Sequence, residues 1–296
     1  MLKTALVPLA FRESRAALSA LARELKIMGT RELTLLHIAS SPASSAEALN
    51  AKLKDRATIF ENEGLIVETV LRKGSPALEL TRTARDLGTD YIAFSWKRKS
   101  WLQRTLIGST TQDSIRLSDR PVYIRKGAVR GPAASLKGGA GGEQTAHADS
   151  LVVVYATDFG ATDAAVIPFL HRPNIPIDRL VLLHVGPRAP DPMAEGRRLA
   201  AADANLKRLA SECDVPAVAI RNVAGAPKQR IAREAGRLGA RLVVLGKSDA
   251  PGRFSGVLGS TAGALAFQSR ASVLIVPPPS SLRSPSPDAK SQEQSS

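Results

Sequence analysis

The sequence predicts an α/β protein built of two tandem doubly wound domains, each with a five-stranded parallel sheet. Two observations predict it. Short apolar runs alternate with stretches of helical period along both halves of the chain. The halves also repeat each other, which raises the expected domain count to two. Gly74-Ser75-Pro76 and Gly108-Ser109-Thr110 recur as Gly225-Ala226-Pro227 and Gly259-Ser260-Thr261, both at an offset of 151. Leu35-Leu36-His37 recurs as Leu182-Leu183-His184, and Pro8-Leu9-Ala10-Phe11 aligns with Ala156-Thr157-Asp158-Phe159. The expected boundaries are a first domain over 1–126, a linker over 127–149, a second domain over 150–278 and a tail over 279–296. The linker is rich in Gly and Ala, the tail in Pro and Ser, and neither can build a core.

In the first half, TALVPLA is an apolar strand run. Residues 12–28 follow with Ala17, Leu18, Leu21 and Leu25 at helical spacing. ELTLLHIA is a strand, 46–63 a helix, and LIVETVL a β-rich run. Ser75 is an expected N-cap with Pro76 at the first helical position, opening a helix to about Leu87. YIAFS, a helix over 110–117 and PVYIR complete the half. The second half runs in the same order: LVVVYAT, a helix near 162–170, RLVLLHV, a helix over 192–211, PAVAIRNV, a helix over 227–238, RLVVLG, a helix from Ser260, and SVLIVP. Apolar strands separated by amphipathic helices indicate parallel strands covered on both faces. Ligands of such sheets sit at the carboxyl ends of the strands, where the strand order reverses.

Composition excludes several classes. Among 296 residues there is one cysteine, so neither a disulfide framework nor a Cys-cluster zinc site is available. Four scattered histidines show no metal-ligand spacing. No apolar run reaches the roughly 18 residues of a membrane helix, and the N-terminal segment does not read as a signal peptide, so the expected compartment is the cytoplasm. The net charge is +14. Residues 1–126 hold 21 basic and 13 acidic side chains and residues 150–278 hold 16 and 10. This even spread argues against a nucleic-acid-binding tail.

The chemistry should lie after the strand RLVVL. There Gly246-Lys247-Ser248-Asp249 is followed, ten residues after Asp249, by Gly259-Ser260-Thr261 at the start of a predicted helix. Free N–H groups and the helix dipole at such a start favour an anion, and the two hydroxyls add donors. Pro251, Gly252 and Gly256 allow the intervening loop to wrap a phosphate. The competing reading is an ordinary strand–loop–helix connection capped by Ser260.

Gly246, Asp249, Gly259 and Ser260 resemble the Gly-x2-Gly-x9-Gly-Ser/Thr hallmark of the universal stress protein family, with Asp249 replacing its second glycine. YATDFGATDAA, LLHV and GAPKQRIAREAGRLGARLVVLG resemble that family's first strand end, second strand, and third helix with fourth strand. The resemblance implies an adenine nucleotide alpha hydrolase-like fold, in tandem form, with the halves packed as an internal pseudo-dimer through PVYIR and SVLIV. It implies adenosine contacts at Thr157, Asp158 and Val185. Backbone approach would come at Gly246 and Gly259, and phosphate contacts from Lys247, Ser260 and Thr261. ATP is the implied ligand, with Mg2+ accompanying it if Asp249 faces the ion. Asp249 otherwise repels phosphate, by about 1 kcal/mol at 4 Å in bulk water.

The first half departs further. Ser95 and Arg98 replace glycines, Ala10 stands where Asp158 stands, and Trp96 and Trp101 add bulk. It reads as a degenerate half, or else as a basic patch of Lys97, Arg98, Lys99 and Arg104. His37 and His184 read as packed strand-end residues and Cys213 as structural. The expected function is a cytoplasmic stress-response regulator binding an adenine nucleotide in its second half. The alternative is an interaction protein with two decayed pockets. No nucleophile–base constellation suggests an enzyme beyond slow ATP hydrolysis. A protein partner and a homodimer of the tandem chain are further expectations; a membrane or nucleic acid is not an expected partner.

Overall fold

The computed structural model describes residues 2–39, 45–95, 109–126, 151–171, 175–247 and 260–279. In the first half the order is β1 (Thr4–Pro8), α1 (Arg15–Ile27), β2 (Glu32–Ala39), α2 (Ala46–Glu61), β3 (Ile66–Lys73), α3 (Pro76–Asp86), β4 (Tyr91–Ser95), α4 (Ser109–Leu117) and β5 (Val122–Arg125). The second half follows with β6 (Val152–Thr157), α5 (Asp163–Val166), β7 (Arg179–Gly186), α6 (Pro192–Ser211), β8 (Val218–Ala224), α7 (Pro227–Arg237), β9 (Leu242–Gly246), α8 (Ser260–Gln268) and β10 (Ser272–Val276).

Local chemistry explains most ends. Ser14, Ser45 and Asp191 cap α1, α2 and α6, each side chain accepting the N–H three residues on. Ser75 takes the N-cap position of α3 as expected, but its hydroxyl makes no capping bond; Pro76 at the first turn sets the helix instead. The single helix expected near 162–170 is broken. One α-turn gives way to a 3-10 turn over Ile167–Leu170, where Pro168 lacks the N–H that a continued α-helix needs.

All ten strands form one sheet, in the order β3-β2-β1-β4-β5-β10-β9-β6-β7-β8. Each half is parallel inside, and the halves meet antiparallel at β5 and β10, with Leu274 opposite Tyr123. These are the two last strands the resemblance pointed to. Pairing them covers two edges that would otherwise present open N–H and C=O groups. Two apolar layers line the sheet. One packs α1, α2, α5 and α6 through Leu18, Leu53, Val166 and Leu206. The other packs α3, α4, α7 and α8 through Leu80, Ile115, Ile231 and Leu265. Both layers run across the junction, through Tyr123 and Leu274 on one face and Ile124 and Ile275 on the other.

Lysines reinforce the junction. Lys126, 3% exposed, donates its ammonium to the Ala266 carbonyl near the end of α8 and its amide N–H to Ser272 Oγ at 3.1 Å. In return Lys247 Nζ donates to the Arg116 and Ser118 carbonyls at the end of α4, at 2.5 and 3.1 Å. Each half thus places a cation at the negative end of the other half's last helix.

Candidate functional site at the strand ends of the second half

β6 lies between β7 and β9, so the strand order reverses at β6, and its carboxyl end is where a doubly wound sheet places a ligand. Register sets Thr157, Val185 and Gly246 at neighbouring strand ends, with Val185 on the opposite face of the sheet from Thr157. Thr157 pairs with His184, which puts Val185 one residue further along β7. Ala156 pairs with Leu245, which puts Gly246 beside the end of β6. Asp158 follows Thr157 and is exposed, its Oδ1 accepting the Gly160 N–H at 3.1 Å. A Cβ on Gly160 would stand 2.9 Å from that oxygen, so glycine permits the tight fold-back.

Beneath Asp158 lies a buried polar network. Thr157 Oγ1 donates to Asp163 Oδ1 at 2.8 Å and accepts the Phe159 N–H at 2.8 Å. The Tyr155 hydroxyl also donates to Asp163. Burial raises the Asp163 carboxyl above the usual range against the pull of these hydrogen bonds, and the nearby Asp158 charge adds to the rise. Burial likewise raises Tyr155.

Phe159 adopts φ +60°, a left-handed conformation uncommon for a bulky residue. Its ring stacks on His184 at 4.4 Å, and His184 Nδ1 hydrogen-bonds the Thr157 carbonyl at 3.0 Å. The first half repeats the device: Phe11 has φ +59°, its ring lies 4.2 Å from His37, and His37 Nδ1 bonds the Leu9 carbonyl at 2.8 Å. Both histidines are therefore positioned as strand-end packing residues.

Besides Thr157, two further expected ligand residues are engaged within the chain. The open side of Gly246 is filled by Thr162: a Cβ there would lie 2.2 Å from Thr162 Oγ1 and 2.7 Å from Thr162 Cβ. The Lys247 ammonium lies on α4 of the other half rather than over its own loop. Thr261 is half buried in the first turn of α8, which Ser260 opens. Gly259, Asp249 and the loop between them lie outside the described residues, as do Trp96, Trp101, the 97–104 basic run, the linker and the tail. Elsewhere Cys213 Sγ donates to the Leu209 carbonyl at 3.2 Å, and burial pushes its thiol up to about 11.

Sequence reasoning missed Thr162, Gly160, Asp163 and the capping role of Lys247. The Thr-Asp-Phe-Gly-Ala-Thr-Asp run held the signal for the first three: two Thr-Asp pairs flanking a glycine at the end of a buried strand. Nothing local marks Lys247, since its carbonyl partners lie in the other half.

The universal stress protein family model matches residues 1–126 and 152–277, both repeats. The chain belongs to the universal stress protein family. As a universal stress protein it is 32% identical over 80 residues to one from Methanocaldococcus jannaschii, a match spanning 27% of this chain and 49% of that relative. Its fold is similar to a universal stress protein structure from Archaeoglobus fulgidus, with TM-score 0.65, 18% identity, and coverage of 93% of this chain and 98% of that one. A candidate universal stress protein structure from Pseudomonas aeruginosa matches with TM-score 0.63, 17% identity, and 94% coverage of each chain. These two likenesses cover nearly the whole tandem chain, so the two-domain arrangement belongs to this universal stress protein fold.

Proposed function

We propose that the second half binds an adenine nucleotide and that the protein acts as a cytoplasmic stress-response regulator. The observation that carries the reading is the exposed Asp158 carboxylate, tied back by Gly160 N–H at the switch point, beside Val185 and the start of the 247–260 connection. An exposed carboxylate there suits the hydroxyls of a ribose, and the first turn of α8 suits phosphates. The first half has Ala10 in place of Asp158, so we assign binding to the second half alone. Mg2+ enters this reading only with the nucleotide, and Asp249 is the residue that would hold it.

A second reading rests on its own observation. Lys247 is spent on α4 and Thr162 fills the face of Gly246, which favours an interaction protein without a ligand. Calorimetric titration with ATP separates the two. Binding that weakens at least tenfold in Asp158→Asn, with unchanged thermal stability, supports the nucleotide reading. Absence of binding at millimolar ATP overturns it in favour of the second.

A further inference from the structure

We propose that the outer face of α7, together with Arg221 of β8, is a docking surface for the phosphodiester backbone of double-stranded nucleic acid, bound without base preference. The even charge spread along the sequence argued against such a partner; folding changes that picture. Between residues 215 and 247 there are seven basic residues and one acid, Glu234. Glu234 is 1% exposed, so this stretch presents no carboxylate to solvent. Around it stand Arg221 at 3.5 Å, Arg230 at 3.6 Å and Arg237 at 3.7 Å, with side chains 44%, 33% and 66% exposed.

This is a prearranged cationic array. One buried charge holds three guanidiniums in place while neutralising only one of them. Neither Glu234 oxygen accepts a hydrogen bond, so the array is held by charge and its directional N–H donors are not tied to the carboxylate. At roughly 100° per residue, Arg230, exposed Arg233 and Arg237 fall within an arc of about 60° on α7. The counterpart helix α3 lacks the feature: Arg82 and Arg85 are balanced by Glu79 and Asp86.

The chemistry of the face selects among polyanions. Arginine presents a planar fork that matches phosphate oxygens. The exposed large apolar residues among those described (Ile27, Ile66, Leu78, Leu87, Leu117 and Met193) all lie off β8 and α7. The face therefore offers neither the apolar anchor of a protein interface nor the wedge of a membrane-inserting helix. It also carries no aromatic ring for stacking on unpaired bases. Backbone contact to a duplex remains.

The test is fluorescence anisotropy of a labelled 20-base-pair duplex with the full chain, from 20 to 200 mM salt. Three to four phosphate contacts give a slope of log K against log salt of about −3 to −4. Arg233→Gln with Arg237→Gln should reduce that slope by about 2 and weaken binding at 50 mM salt about tenfold. Lys52→Gln with Arg56→Gln on α2 removes equal charge and should leave the slope unchanged. Equal loss in both double variants, no duplex binding at 20 mM salt, or binding to phosphatidylserine vesicles but not to duplex each overturns the proposal.

Discussion

Gly246→Ala tests whether the glycine at the end of β9 is required by the chain's own packing. The added methyl would sit 2.2 Å from Thr162 Oγ1. That is more than about 1 Å inside ordinary contact. Rotating Thr162 does not relieve it, because Thr162 Cβ itself lies 2.7 Å away and its methyl 3.4 Å away. The backbone must move instead, and the Thr162 carbonyl holds the first turn of α5 through the Ala165 and Val166 N–H groups, each at 3.0 Å. Overpacking of this kind costs about 1–3 kcal/mol, and the upper end applies where a backbone must shift. Thr162→Ala should restore little, since its Cβ remains in place. Thr162→Gly should cost about 1 kcal/mol alone yet restore most of the loss in the double variant, a coupling of about 2 kcal/mol. Urea unfolding of the four proteins measures this. A Gly246→Ala midpoint equal to wild type, or a double variant no better than Gly246→Ala, refutes the packing argument. ATP titration of the refolded double variant then reports on Gly246 as a ligand residue, separately from its packing.

Asp163→Asn should show a pH-dependent cost. The raised Asp163 pKa means the folded state holds that proton more tightly than the unfolded chain, whose value is about 3.9. The stability this group contributes is thus full below about pH 3.9 and is lost as pH rises through the folded value. The wild-type advantage over Asp163→Asn in urea midpoint should therefore narrow from pH 4 to pH 7; a constant gap refutes the assignment. Lys247→Met removes the cation from the end of α4 and should destabilise that helix by about 0.3–2 kcal/mol, read as faster amide exchange in 109–118 relative to 76–86. With its thiol at about 11, Cys213 should react with a thiol probe at pH 8 roughly a hundredfold more slowly than free cysteine, and labelling at the free-cysteine rate would contradict its burial.

The strand cores were legible almost residue by residue. ELTLLHIA and YIAFS are β2 and β4, and 192–211 is α6. Apolar period and capping chemistry act within a few positions, so they survive in the linear text. The strand-end site was half legible. The repeat and the register set Thr157 and Val185 at neighbouring strand ends but on opposite faces of the sheet, with the Thr157 hydroxyl bonded to Asp163, and the partners of Gly246 and Lys247 could not be read. A glycine in a sequence shows that a side chain is missing and is silent on whether a ligand or a neighbour takes the space. Likewise a lysine after a strand shows a charge without showing which carbonyls it can reach.

The amino-acid order by itself determined two copies of one α/β plan, because strand period and helix period are set by residues a few positions apart. Only the assembled sheet decided where the charges went. Antiparallel joining of β5 to β10 brings the end of α4 under Lys247, 131 residues away, and the packing of α7 on β7 buries Glu234 and brings Arg221 of β8 to it, beside the helix-local Arg230 and Arg237. Side-chain reach is only a few ångströms, so such contacts exist only once distant segments have been placed side by side.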